Sequence, residues 1–136
     1  MNAMDRRVLA GSRVEAAPGP SVLRGERRPD LSRDEVLCEI FTATARAHAG
    51  KLALIGPGGA FTYAQIERQA RAIAASLAMR GIEAGHVVGL WMARGPELLT
   101  AQIAITLCGA AWLPFDADAP VERIGECLAD CGAKAL

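Results

Sequence analysis

Few side chains in these 136 residues are suited to chemistry: four cysteines, two histidines and a pair of aspartates two positions apart. Cys127 and Cys131 are four apart, a spacing that stacks two thiols on one face of a helix. Such a pair could pass between dithiol and disulfide. The competing reading makes them small core side chains, because free cysteine is among the most buried residue types. Cys38 and Cys108 complete the set, with no C-x-x-C pair and no nearby histidine, so a zinc site has poor support. His48 and His86 stand without a carboxylate or serine partner at a recognisable spacing and read as loop or solvent-facing residues. Asp116 and Asp118 could be offered to a metal, but turn and helix-capping roles account for them more simply.

Phosphate chemistry finds no home either. There is no G-x-x-x-x-G-K-[ST] loop, no G-x-G-x-x-G, no G-x-S-x-G and no H-E-x-x-H. The one glycine cluster is Gly56-Pro57-Gly58-Gly59. A phosphate cradle needs backbone N–H groups converging at a helix N-terminus, and the proline removes one donor. The cluster therefore reads as a hairpin turn. No catalytic residue, no cofactor-binding residue and no metal ligand is assigned to this chain.

The elements that must position these residues are unevenly supplied. Residues 1–30 hold no aromatic side chain and no isoleucine, while 31–136 carry all six aromatics. The first stretch cannot offset its ordering entropy and is expected to be a disordered leader, with the globular part spanning 31–136. Fifteen basic and fifteen acidic residues cancel, which predicts no nucleic-acid partner. Acids among the leader's arginines argue against a transit peptide, and no apolar stretch follows them as secretion requires. No run approaches the roughly 18 apolar residues of a membrane helix. A cytoplasmic chain with no membrane segment is expected.

From Leu31 onward helix-like and strand-like segments alternate. Ser32 and Glu35 form a capping-box pattern ahead of Val36, Leu37, Ile40 and Phe41 at helical spacing, closed by Gly50. Residues 51–55 read as a strand, and 61–63 as a short returning one. Thr62 with Gln65 is a second capping box, opening a helix with the inner stripe Ile66, Ala70, Ile73 and Leu77 and ending at Gly81. The continuous apolar run 86–92 suits a strand covered on both faces. Pro96 starts a helix that is apolar nearly all round, residues 111–115 form another strand, and Pro120 starts a last helix with Ile124 and Leu128 inside and Gly132 at its end. Ala133 begins one more apolar run. This alternation specifies an α/β fold: an incomplete, mostly parallel sheet with helices on its faces.

Four segments resemble motifs of amino-acid adenylation domains of nonribosomal peptide synthetases, members of the AMP-binding, adenylate-forming superfamily. Phe61-Thr62-Tyr63-Ala64-Gln65-Ile66 resembles "L-T-Y-x-E-L". Gly81-Ile82-Glu83-Ala84-Gly85-His86-Val87-Val88 is similar to "G-V-x-x-G-D-x-V". Leu107 to Asp116 resembles "K-A-G-x-A-Y-V-P-I-D", with Leu107 and Cys108 in place of Lys and Ala, and Trp112 and Phe115 in place of Tyr and Ile. Pro120-Val121-Glu122-Arg123 is similar to "Y-P-x-x-R". The order is kept over residues 51–136. The wording around Trp112–Asp118, with Arg28-Pro29-Asp30-Leu31 upstream, looks most like the poly-lysine-synthetase type.

The resemblance implies the N-terminal part of the superfamily's large domain, truncated before the phosphate-binding loop. It implies ATP and magnesium for the complete enzyme, an amino-acid substrate, and the rest of the domain and a carrier-protein domain as partners. The fragment itself is expected to bind no cofactor and to be inactive alone, with Tyr63, Trp112 and Asp116 in packing and capping roles. Two alternatives stand beside it: a fragment of an acyl- or aryl-CoA ligase, and a non-catalytic interaction or scaffold module derived from such an enzyme.

Overall fold

In the computed structural model the described residues are 26, 28–32, 34–56 and 58–136. The described residues fall in two units, divided between Ser32 and Asp34. The leader expected over 1–30 lies almost wholly outside the described residues. In the first unit Pro29–Leu31 make one 3₁₀ turn. The Arg28 guanidinium donates to both carboxylate oxygens of Asp30, at 3.0 and 2.7 Å, and holds that exposed carboxyl below its usual range.

The second unit opens with α1 (Leu37–Ala47). It starts about one turn later than the Ser32 cap predicts, because a different acid completes the N-terminus: the Glu39 carboxylate accepts from the Val36 N–H at 3.1 Å. Its predicted inner face is also only partly inside. Phe41 and Ala45 turn inward, whereas Val36, Leu37 and Ile40 are exposed.

Next come β1 (Leu52–Gly56) and β2 (Gly59–Thr62), an antiparallel pair in the register Leu54↔Phe61 and Ile55↔Ala60. A register shift between Leu52 and Leu54 lets two consecutive side chains, Ala53 and Leu54, pack on one cluster, which regular alternation forbids. The capping box then starts α2 (Tyr63–Met79) as predicted. Thr62 N–H donates to Gln65 Oε1 at 2.8 Å, and Gln65 N–H donates to Thr62 Oγ1 at 3.3 Å. Ile66 and Ala70 are fully buried, but Ile73, predicted inside, is 37% exposed. Ile103 and Ala104 of α3 (Pro96–Leu107) cover Ile66 and Ala70, while Ile73 lines an open groove beside that helix.

The parallel part of the fold is β3 (Val87–Trp91) and β4 (Ala111–Phe115), in register from Val87↔Ala111 to Trp91↔Phe115. Val88 and Leu90 join Ile82, Ile105 and Ala110 in one core. Gly89 faces the other way, where Leu128 of α4 (Val121–Asp130) and Leu136 close over it. Both faces of β3 are thus covered, as its continuous apolar run requires. On the strand's other edge the chain returns: Lys134 N–H donates to Val87 O, and Gly89 N–H to Ala135 O, both at 2.8 Å. Ala135 bridges Val88 in parallel, so the expected apolar run after Gly132 does join the sheet.

Helices α2, α3 and α4 end alike. In each, a glycine N–H bonds back three residues and the next N–H bonds back five, as in Ala110 to Ile105 O and Ala133 to Leu128 O. At Gly109 this requires a φ of 71°, and a Cβ there would stand 3.0 Å from Ala84 Cβ. Gly109→Ala is expected to cost about 1–2 kcal/mol from the left-handed backbone alone, more with the contact. Gly125, in the interior of α4 with nothing within 4 Å of an added Cβ, is the counterpart. Gly125→Ala is expected to stabilise by about 0.5–1 kcal/mol. Urea midpoints of the two variants moving in opposite directions would show it.

Candidate functional site

The carboxyl ends of β3 and β4 lie side by side, with Trp91 opposite Phe115 in the last register position. Two loops leave them, 92–95 toward α3 and 116–120 toward α4. In open α/β sheets the crevice beyond the strands' carboxyl ends is where ligands bind. A cavity of about 540 Å³ opens there, walled by Met92, Leu98 and Phe115, with Arg94, Asp116 and Asp118 at its rim. All three charged residues are exposed. The Trp91 indole N–H donates to Ala117 O at 3.2 Å, and Ala119 N–H to Asp116 O at 3.0 Å, so the second loop is a closed turn pinned to the end of β3. A groove of about 460 Å³ lies on the other side of Met92, between Phe61, Ile73, Pro96 and Ala101.

The nucleotide and magnesium that the resemblance implies can be set against these residues. A phosphate needs backbone N–H groups gathered at a helix start. Gly58 and Gly59 instead join β1 to β2, so the chain leaves the glycine cluster as a strand. The start of α3 offers Gly95 as cap with no side-chain bond, and Pro96 supplies no N–H. Among the described residues no three His, Cys, Asp or Glu side chains converge as a metal site. Among the described residues the groups present do not fit a nucleotide–metal centre, and no chemical step is assigned to them.

The residues singled out by sequence are dispersed. Tyr63 opens α2 with its ring tilted against Phe41, centroids 6.3 Å apart, and Trp112 packs on the Val88–Ile105 core, both as packing roles require. Asp116 does not cap α4 through its side chain. The helix starts after Pro120 with no side-chain cap bond, and the contribution of Asp116 is its backbone carbonyl in the turn. His48 caps the end of α1 through its backbone and is exposed. His86 has a carboxylate neighbour that its spacing in the sequence did not reveal: its Nδ1 accepts from the Glu83 N–H at 3.3 Å, and its Nε2 lies 3.7 Å from the Glu83 carboxylate. None of the cysteines is fully buried. Cys38, Cys108 and Cys127 are partly buried and Cys131 is exposed. Cys108 lies 3.5 Å from Ala74 O, where burial pushes its thiol up. Arg94 at the rim of the crevice, and Trp91, whose indole pins its second loop, belong to no motif in the sequence. The strand-to-helix turn Arg94-Gly95-Pro96 is the one signal that points to them.

A parallel pair wrapped by helices, with its loops gathered at one end, defines an open α/β scaffold. The family model described as AMP-binding enzyme matches residues 41–136. The delta-poly-L-ornithine synthetase of Acinetobacter baumannii is 48% identical over 113 residues, which is 83% of this chain and 8% of that protein. A linear gramicidin synthase of Brevibacillus parabrevis is 32% identical over 85% of this chain and 2% of its own length. Among solved structures, the N-terminal subdomain of Klebsiella oxytoca NpsA in complex with anthranilyl-AMSN superposes with a TM-score of 0.68 at 30% identity, over 72% of this chain and 26% of that one. The chain belongs to the AMP-binding enzyme family, and it spans a small part of the relatives it matches.

Trp91→Phe keeps the ring's packing and removes the bond to Ala117. It is expected to lower stability by about 0.5–1.5 kcal/mol. Amide exchange at Ala119 should quicken, while Ala111, whose N–H bonds to His86 O inside the ladder, should not change.

Proposed function

We propose that this chain is the N-terminal part of an adenylation domain that activates an amino acid for nonribosomal peptide synthesis in the cytoplasm. In that reaction a carboxylate oxygen attacks the α-phosphorus of ATP. The new O–P bond forms as the α–β phosphoanhydride breaks, giving acyl-adenylate and pyrophosphate, and the acyl group then passes to a carrier-protein thiol. Residues 1–30 are a leader in this reading, and 31–136 the scaffold ahead of the phosphate-binding loop.

The observation that carries it is the coincidence of the family match with the elements that hold all four motifs. Each motif sits at a scaffold junction: the capping box of α2, the turn into β3, the α3–β4 passage and the start of α4. Phosphate handling and the catalytic lysine belong to segments further along, which supply ATP and magnesium binding. The exposed apolar side chains Leu37, Ile40, Ile73 and Leu99 suit faces that the rest of such a domain covers. Peptide-synthetase relatives favour this reading over a CoA ligase, and it accounts for the motifs better than a scaffold module without chemistry. The poly-ornithine relative puts L-ornithine and L-lysine first among substrates to try.

Amino-acid-dependent ATP–pyrophosphate exchange tests the reading. Residues 1–136 alone should give none, and the protein extended through its downstream coding sequence should exchange with at least one amino acid. Exchange by residues 1–136 alone, or acyl-CoA formation without amino-acid exchange by the extended protein, would contradict it. Residues 1–136 should also bind a fluorescent apolar dye, and the extended protein should bind less per chain.

A further inference from the structure

Cys127 and Cys131 are stacked by the last regular bond of α4: the Cys131 N–H donates to Cys127 O at 3.2 Å. Both thiols are free, and Cys131 is exposed at the helix cap. Its Sγ lies 3.6 Å from Leu128 O, folded back along the helix on the side of the preceding turn. Side chains four apart on a helix have Cβ atoms about 5–6 Å apart, and a disulfide needs about 3.5–4.5 Å. Closing the pair therefore requires the last turn to tighten by about 1.5 Å. Cys131, already outside the regular helix, is the residue able to move.

That turn holds more than itself. Gly132 N–H bonds to Ala129 O at 3.2 Å and Ala133 N–H to Leu128 O at 2.9 Å, and these two bonds aim residues 134–135 at the edge of β3. Leu128 and Leu136 both press on Gly89, so the same turn also sets one wall of the sheet.

We propose that Cys127 and Cys131 form a thiol-modification and disulfide site at the end of α4, and that its oxidation loosens the pairing of residues 134–135 with β3. A disulfide-class oxidant such as oxidised glutathione supplies the chemistry. The Cys131 thiolate attacks one sulfur of the oxidant, forming a mixed disulfide and releasing one glutathione thiol. The Cys127 thiolate then attacks Cys131 Sγ, forming the intramolecular bond and releasing the second glutathione. Two protein thiols lose two electrons and two protons, and the oxidant gains them as two thiols. In a reducing compartment such a bond is transient, as sensing disulfides are.

The test uses the 136-residue chain, oxidised glutathione, tryptic mass mapping and amide exchange. Cleavage after Arg123 and Lys134 leaves both thiols on one peptide, Ile124–Lys134. Oxidation should make that peptide two hydrogens lighter and resistant to alkylation, with exchange at Gly89 and Lys134 accelerated several-fold and restored by a dithiol reductant. Cys131→Ser should abolish both changes. Cys127→Ser should trap glutathione on Cys131 without accelerating exchange. A variant lacking Cys38 and Cys108 should behave as the parent chain. A bond to Cys38 or Cys108, a lasting glutathione adduct in the parent chain, or a 127–131 bond with unchanged exchange would each overturn the proposal.

Discussion

The structure of residues 34–136 depends on satisfying the backbone of one strand. β3 is buried on both faces, so its N–H and C=O groups have no water to turn to and must find partners on both edges. β4 supplies one edge in unbroken register, and Lys134 and Ala135 supply part of the other. The side chains follow from that placement. Val88 and Leu90 can enter the core only because Ile82, Ile105 and Ala110 meet them there. Gly89 has no side chain because Leu128 and Leu136 occupy its place, within 2.8 Å of where a Cβ would stand. A side chain there would force the Leu128 and Leu136 side chains to shift.

The helices are held to this strand by how they end. Three successive helices close with a left-handed glycine and a five-residue back-bond, and each hands the chain to the sheet within a few residues. This punctuation makes the α/β alternation readable: it fixes where each helix stops and the direction in which the next segment leaves. The motif-like segments fall on these joints. Tyr63 and Trp112 fill space there, and Thr62 closes a cap. A scaffold that must present loops at fixed positions constrains its joints as tightly as its reacting groups.

How much of this could be read from the chain varies with the physics involved. The run Val87–Trp91, the Thr62–Gln65 cap and the strand Ala111–Phe115 were legible because local sequence alone dictates them. The exposure of Ile73 was not, because periodicity says which residues are apolar and says nothing of how closely a neighbour packs on them; α3 covers Ile66 and Ala70 and leaves Ile73 on the wall of an open groove. The same holds for Val36, Leu37 and Ile40 on α1. The irregularity at Ala53 has no signal in a run of Leu, Ala and Ile. The crevice was hidden for another reason. The bond from Trp91 to Ala117 joins residues 26 apart, and it exists only because the register places Phe115 beside Trp91.

Register also decides on which side the sheet can grow. The Ala111 N–H donates to His86 O, so along a parallel strand Leu113 and Phe115 point their polar groups the same way, toward β3. Trp112 and Pro114 then point outward. Pro114 has no N–H to give, leaving Trp112 as the single donor on that edge of β4, and an edge so depleted is a poor template for another strand. The opposite edge of β3 carries no such defect, and there the chain already begins a ladder at Lys134 and Ala135. One proline thus separates the two sides of the pair: β4 is suited to be a boundary of the sheet, and β3 to lie in its interior. The apolar composition of β3, covered above and below, is consistent with that position, while β4 keeps Ala111 and Pro114 exposed.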